Sequence, residues 1–266
     1  MAAAPYAFTV GRFIGGVFST WGRTARWIVP LALVAYAPAA VAMYRMYSSL
    51  ASSGASTPEP LMLLRSFGGV IILLTLLTPL ERAAIARAGV RRLQEQPVGL
   101  GDMLSTALRF FFPVLGLMLL VGLAFFFTFW TLFIVPLILL TAWSASLPAM
   151  VTEGLGPIEA LKRSWSLTRG LRWQVFAGFL VVILILFAVS CLLQSALTAA
   201  VLGAAAAAGG NDPQRLLGTM AVMQAANMLM EAVYDSVLTA ATAVAYHQLR
   251  VAAEGPPAQR LAQVFA

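Results

Sequence analysis

Long apolar runs, broken by short stretches that carry arginine, set the pattern of this chain. A bilayer hydrocarbon core about 30 Å thick needs roughly 20 apolar residues in a helix. Six stretches reach that length, approximately 27–47, 61–80, 110–129, 132–151, 173–197 and 216–246. The third and fourth come from a single run, Phe110 to Val151, without one charged side chain. At ~1.5 Å per residue that run would extend roughly 63 Å, about twice the bilayer, so it has to fold back. The turn is expected near Phe129 to Thr131. Pro30 and Pro38 fall inside the first span, where neighbouring helices can satisfy the backbone groups they free. The pattern predicts an all-α integral membrane protein with six transmembrane helices, forming a single membrane domain over residues 1–266. The N-terminus lacks a charged region leading into a short apolar one with a processing site, so the first span is expected to stay.

Polar periodicity adds a second layer. In the segment EGLGPIEALKRSWSLTRGLRW, Pro157 suits a first helical position and Gly170 a C-terminal cap,. Between them Ile158, Leu161 and Trp165 recur at helical spacing, with Lys162, Ser166 and Arg169 on the other side,. Glu159 precedes Arg163 by four residues, the favourable order for an ion pair. A related pattern runs from Thr9 to Trp27, where Val10, Phe13, Val17 and Trp21 face away from Arg12 and Arg23, and in shorter form over GDMLSTALR. Cytoplasmic interfacial helices are therefore expected at approximately 9–26, 101–109 and 157–169. Each leads into a two-span hairpin, giving three repeats, with Glu81 to Gln96 as a charged helical linker between the first two. Arg12, Arg23, Lys162, Arg163, Arg169 and Arg172 are the expected contacts to lipid headgroups, anionic ones in particular.

Composition agrees with this picture and charge refines it. With 61% hydrophobic and 10% charged residues, the chain could not expose its apolar surface to water,. A net charge of +7 would point to nucleic acid in a soluble protein, so the distribution of basic residues has to decide,. If the N-terminus is cytoplasmic, only Arg45, Arg65 and Arg215 of the 17 basic residues lie outside. That asymmetry predicts both termini in the cytoplasm and sets the nucleic-acid reading aside. The lone Cys191 can form no disulfide within the chain and is expected as a small buried hydrophobe,.

Catalytic chemistry is hard to find. One histidine and ten acids, scattered mainly at membrane edges, do not make a site of metal-binding carboxylates and acid/base histidines,. Walker, dinucleotide-binding, HExxH and GxSxG motifs are absent,. No catalytic residue, cofactor or metal is therefore expected. His247 reads as an interfacial side chain. Glu153 reads as a group that favours a helix N-terminus or pairs with a nearby arginine. One constellation stands apart: in MQAANMLMEAVYDSV, Gln224, Asn227, Glu231 and Asp235 share one face of the sixth span, and Thr242 continues it,. Acids at that depth must face protein or water. They make either a proton or cation site in a midplane cavity or a buried hydrogen-bonded network joining helices. Ala240, Ala241, Ala243 and Ala245 permit close helix approach and suit a central position.

Two stretches carry a family resemblance. LPAMVTEGLGPIEALKRSWSLTRG, Leu147 to Gly170, and AYHQLRVAAEG, Ala245 to Gly255, resemble the membrane-domain family of glycerophosphoryl diester phosphodiesterase, close to YciC-like bacterial polytopic membrane proteins. The second stretch has His247 and Gln248 where tyrosine and aspartate are common in that family. The resemblance implies a multi-pass protein of the bacterial inner membrane, built like a membrane part that is sometimes fused to a soluble phosphodiesterase and that has no established activity of its own. The expected role is non-catalytic, in membrane or envelope maintenance or as a scaffold, with a membrane protein partner or a homo-oligomer. The alternative is a small proton- or cation-coupled transporter using the acids of the sixth span.

Overall fold

The computed structural model describes residues 8–53, 60–130, 134–207 and 213–255. All regular structure among them is helical: α1 (Val10–Ser53), α2 (Pro60–Leu93), α3 (Leu100–Thr128), α4 (Ile134–Trp143), α5 (Ser146–Glu153), α6 (Pro157–Leu167), α7 (Arg172–Ala207) and α8 (Pro213–Glu254). Six stretches are long and apolar enough to cross a membrane: Val10–Ser49, Phe67–Leu93, Leu100–Thr128, Val135–Glu153, Arg172–Gly203 and Gly218–Glu254. Each overlaps one of the six runs read from the sequence. The turn expected between the third and fourth is present at Phe129 and Trp130; Thr131 lies outside the described residues.

The helices run further than the apolar runs alone require. The 44 residues of α1 and the 42 of α8 correspond to roughly 65 Å at ~1.5 Å per residue, about twice the hydrocarbon thickness. Of the three expected interfacial helices, only 157–169 is a separate element, as α6. The stretch 9–26 continues without a break into the rest of α1, and 101–109 is the first part of α3. The difference lies in the flanks. Gly154 and Gly170 bracket α6 at φ of +72° and +83°, left-handed values that stop a helix on either side,. No such residue interrupts α1 or α3, and Pro30 and Pro113 are carried inside them.

Residues 81–93 of the expected charged linker are the C-terminal part of α2. Most of them are core: Glu81, Ala83, Ala84, Ile85, Ala86, Ala88 and Val90 are all buried. Small side chains explain why. LERAAIARAGVRR offers little bulk, so other helices can approach closely. A Cβ placed on Gly89 would sit 2.8 Å from the Ala243 Cβ of α8.

The helices pack as two compact units, 1–28 with 79–183 and 236–266, and 29–78 with 184–235. Helices α1, α2, α7 and α8 each give one stretch to either unit. In the first, α8 is central: Ala240, Ala241, Ala243, Val244, Ala245, Tyr246 and Leu249 are buried. Around them, a Cβ on Gly16 of α1 would stand 3.0 Å from Val244, and the Trp21 indole N–H donates to Ser236 Oγ at 3.0 Å. A second core in this unit joins Ala83, Phe110, Val114, Leu117, Met150, Val151 and Ala160.

The other unit packs Ala32, Ala35, Tyr36, Ala39, Met43 and Met46, one face of α1, against Val70 and Leu74 of α2 and Met228 and Ala232 of α8. The corresponding part of α7 turns Leu184, Phe187, Leu192 and Leu193 outward. Cys191 is exposed with them, which corrects the expectation of a buried thiol. An apolar run fixes only an apolar environment, and on an outward helix face lipid supplies it as well as protein does.

Candidate functional site

The site begins with a broken helix. Pro148 lacks an N–H, and its ring crowds the carbonyl four residues earlier, at Ser144. The apolar stretch Val135–Glu153 accordingly divides into α4 and α5, with a turn at Ser144 and Ala145. Backbone groups freed at apolar depth need partners. Ser164 of α6 provides them: its hydroxyl donates to Ala142 O at 2.7 Å and accepts the N–H of Ala145 at 3.1 Å. Thr168, one turn on, places its Oγ1 3.4 Å from the same carbonyl and 3.0 Å from Ser164 O. Both side chains are fully buried.

At the other end of α5 the chain reverses. The Gly154 N–H donates to Met150 O at 2.9 Å, closing the helix, and α6 starts at Pro157. Glu159 caps that start, accepting the Gly156 N–H at 3.0 Å on Oε2. Its carboxylate therefore does not serve Arg163, as the four-residue spacing suggests. At the third helical position a glutamate reaches back to the first free amide, and that local bond competes with the pair along the helix.

Arg163 has other partners. Its Nε and Nη2 donate to the Glu153 carboxylate at 3.0–3.2 Å, and Nη2 also meets Glu254 Oε1. Tyr246 Oη donates to Glu153 Oε1 at 2.8 Å and accepts from Arg250 Nη1 at 3.0 Å. Arg250 Nε donates to Glu254 Oε2 at 3.0 Å. The five side chains form a closed, electrically neutral ring that joins α5, α6 and α8. Burial disfavours the charged form of Arg163, but its hydrogen bonds to Glu153 and Glu254 and their charges outweigh that, so its pKa lies above the ordinary arginine value,. Side-chain exposure of 19–28% for the charged members puts the ring between a surface salt bridge and a fully buried one,.

Pairing Glu153 with an arginine matches the sequence reading, but its position, at the end of α5, is not a helix N-terminus. Tyr246, Arg250 and Glu254 are partners that the sequence reading does not assign to it. The available signal is that both ends of the ring lie in the two stretches that carry the family resemblance.

The intramembrane stripe divides. Asn227 Nδ2 donates to Gln224 Oε1 at 3.2 Å. Glu231 is exposed and, with Asn227 and Tyr234 of α8 and Ser190, Gln194 and Thr198 of α7, lines a cavity of about 850 Å³. Asp235 is instead buried, at 9% exposure, and does not line that cavity. Four residues advance a helix by ~400°, an offset of about 40°, enough to set one acid at a groove edge and the next against packed helices. Thr242 turns its hydroxyl onto its own helix, donating to Thr239 O at 2.7 Å.

Among the expected headgroup contacts, Arg12, Arg23, Lys162 and Arg169 are exposed. Arg172 lies with its guanidinium carbon 3.9 Å from the Trp165 ring centroid, a cation–π contact,. Arg163 is committed to the ring. His247 is half-buried.

A family model described as the membrane domain of glycerophosphoryl diester phosphodiesterase matches residues 120–260. The chain belongs to this family. No curated protein and no solved structure matches it. In this member of the phosphodiesterase membrane-domain family, the ring and the Ser164 plug both fall inside the matched region. Among the described residues, no three of His, Cys, Asp and Glu are grouped to hold a metal ion.

Proposed function

We propose that the protein is a non-catalytic scaffold of a bacterial inner membrane that serves membrane or envelope maintenance and engages anionic lipid through its exposed basic side chains. The closed ring of Glu153, Arg163, Tyr246, Arg250 and Glu254 carries this reading. Each of its ionised groups is engaged by another, which suits holding three helices in place better than proton transfer to a substrate. Arg12, Arg23, Lys162 and Arg169 are exposed, as contact with lipid phosphates requires. Purified protein examined by native mass spectrometry should retain phosphatidylglycerol or cardiolipin, and Lys162→Ala with Arg169→Ala should reduce that retention. Hydrolysis of a glycerophosphodiester that disappears with Glu153→Gln would overturn the reading. Crosslinking in native membranes reads whether the scaffold engages a membrane protein partner or a second copy.

One observation favours a second reading, proton- or cation-coupled transport. Glu231 is exposed in a cavity lined by Asn227, Gln194 and Tyr234 within spans,. In reconstituted vesicles, transport would appear as a pH-dependent flux that Glu231→Gln abolishes while folding is retained.

A further inference from the structure

A second polar cavity, of about 440 Å³, lies where α2, α3 and α5 meet in the first unit. Ligand pockets typically span ~300–1,000 Å³, so there is room for a phosphate and the alcohol it esterifies. Arg87 of α2, Asp102, Ser105 and Arg109 of α3, and Thr152 and Glu153 of α5 line it.

The balance of engaged and available groups gives the cavity a sign. Its two acids are already answered from elsewhere. Asp102 Oδ1 lies 2.9 Å from Arg91 Nη2, and Glu153 is held by Arg163 and Tyr246. The donors are less committed. Arg87 Nε stands 3.6 Å from Asp102 Oδ2, beyond hydrogen-bond length, and is buried without a hydrogen-bond partner. Thr152 Oγ1 is buried in the same condition. The exposed Arg109 has its guanidinium carbon 5.5 Å from the Phe110 ring centroid and makes no ion pair among the described residues. Arg87, Arg91 and Arg109 against Asp102 leave two positive charges in surplus, because the Glu153 ring is neutral by itself. A cation would find both carboxylates occupied. An anion would find two guanidinium groups and a hydroxyl with bonds to give, arranged around a space of the right size.

We propose that this cavity binds a phosphate ester, with Arg87, Arg109 and Thr152 donating to the phosphate oxygens and Asp102 fixing the arginines of α2. The site is distinct from the exposed basic positions of α1 and α6 and does not depend on the scaffold reading. A phospholipid headgroup and a water-soluble phosphate ester share this chemistry.

Two probes distinguish them with the full-length protein. Glycerol 3-phosphate is titrated into protein in neutral detergent, and phosphatidylglycerol against phosphatidylcholine is measured by native mass spectrometry on protein from mixed nanodiscs. Binding of glycerol 3-phosphate supports a soluble ester. Selective retention of phosphatidylglycerol alone supports a headgroup. In either case Arg109→Ala, at an exposed position that leaves the core intact, should weaken binding by about tenfold or more, the usual consequence of losing hydrogen bonds to a charged group. Thr152→Val should weaken it less, and Arg92→Ala, a charge-matched control on the exposed end of α2, should not. The proposal is overturned if neither probe binds, or if Arg109→Ala and Thr152→Val bind as tightly as Arg92→Ala.

Discussion

Ser164 of α6 completes the hydrogen bonding of Ala145, which lies between two other helices, by accepting its N–H at 3.1 Å while donating to Ala142 O at 2.7 Å. The side chain does for the α4–α5 break what one more helical turn would have done. Ser164→Ala should leave the buried Ala145 N–H without a partner and Ala142 O with only the long 3.4 Å bond from Thr168, and cost about 1–3 kcal/mol. Thr168→Val should cost less, since its shorter bond is to its own helix at Ser164 O, 3.0 Å away. Thermal unfolding in detergent compares the two, and equal losses would count against Ser164 as the principal plug.

Within the ring, Arg163 stands between two carboxylates. Arg163→Ala should destabilise more than Tyr246→Phe, because it leaves Glu153 without a cationic partner and Glu254 with Arg250 alone, whereas the phenol supplies one hydrogen bond. For Tyr246→Phe a loss of about 1.5–3 kcal/mol is expected, in line with hydrogen bonds to charged groups. A double-mutant cycle over Glu153→Gln and Arg163→Gln should give a coupling of about 0.5–3 kcal/mol. A coupling near zero would remove the pair from the account of the site.

The contact of Gly89 with Ala243 invites a rescue experiment. Gly89→Ala places a Cβ 2.8 Å from that of Ala243 and should cost about 1–3 kcal/mol through overpacking. Ala243→Gly in the same chain should return most of the loss. If the single variant is as stable as the parent, α2 and α8 do not pack this closely.

Arginine placement predicts the orientation. Reporter fusions after Ser53 and Gly210 should report the outer side of the membrane, and a fusion after Ala266 the cytoplasm, as the positive-inside asymmetry requires. A periplasmic C-terminus would reverse or break the six-span count.

How much of this is legible in the sequence depends on the scale of the signal. Apolar length is a property of each segment alone, so Phe110 to Val151 can be read as two spans without knowledge of neighbours. The buried run at Ala83 to Val90 escapes such a reading because its arginines suggest a solvated helix, while its small side chains matter only once another helix is known to lie against them. Glu159 goes to Arg163 by a sound local rule, and a second local rule, capping, prevails. Residues Glu153 and Tyr246 are separated by 93 positions, and no periodicity reaches across that distance. Only the two stretches carrying the family resemblance hint that both ends belong to one site.

The order in which the chain is made gives the ring a further meaning. Glu153 and Arg163 leave the ribosome together, but Tyr246, Arg250 and Glu254 follow some ninety residues later. Until α8 is in place, Arg163 has one acid where it will have two, and Glu153 lacks the phenol. At ~5–20 residues per second that interval lasts about 5–20 s, during which the Glu153–Arg163 pair joins α5 to α6 without the bonds from α8. In that order of events α8 acts as a latch on α5 and α6. A chain cut short before Tyr246 would leave Arg163 on Glu153 alone and the ring open.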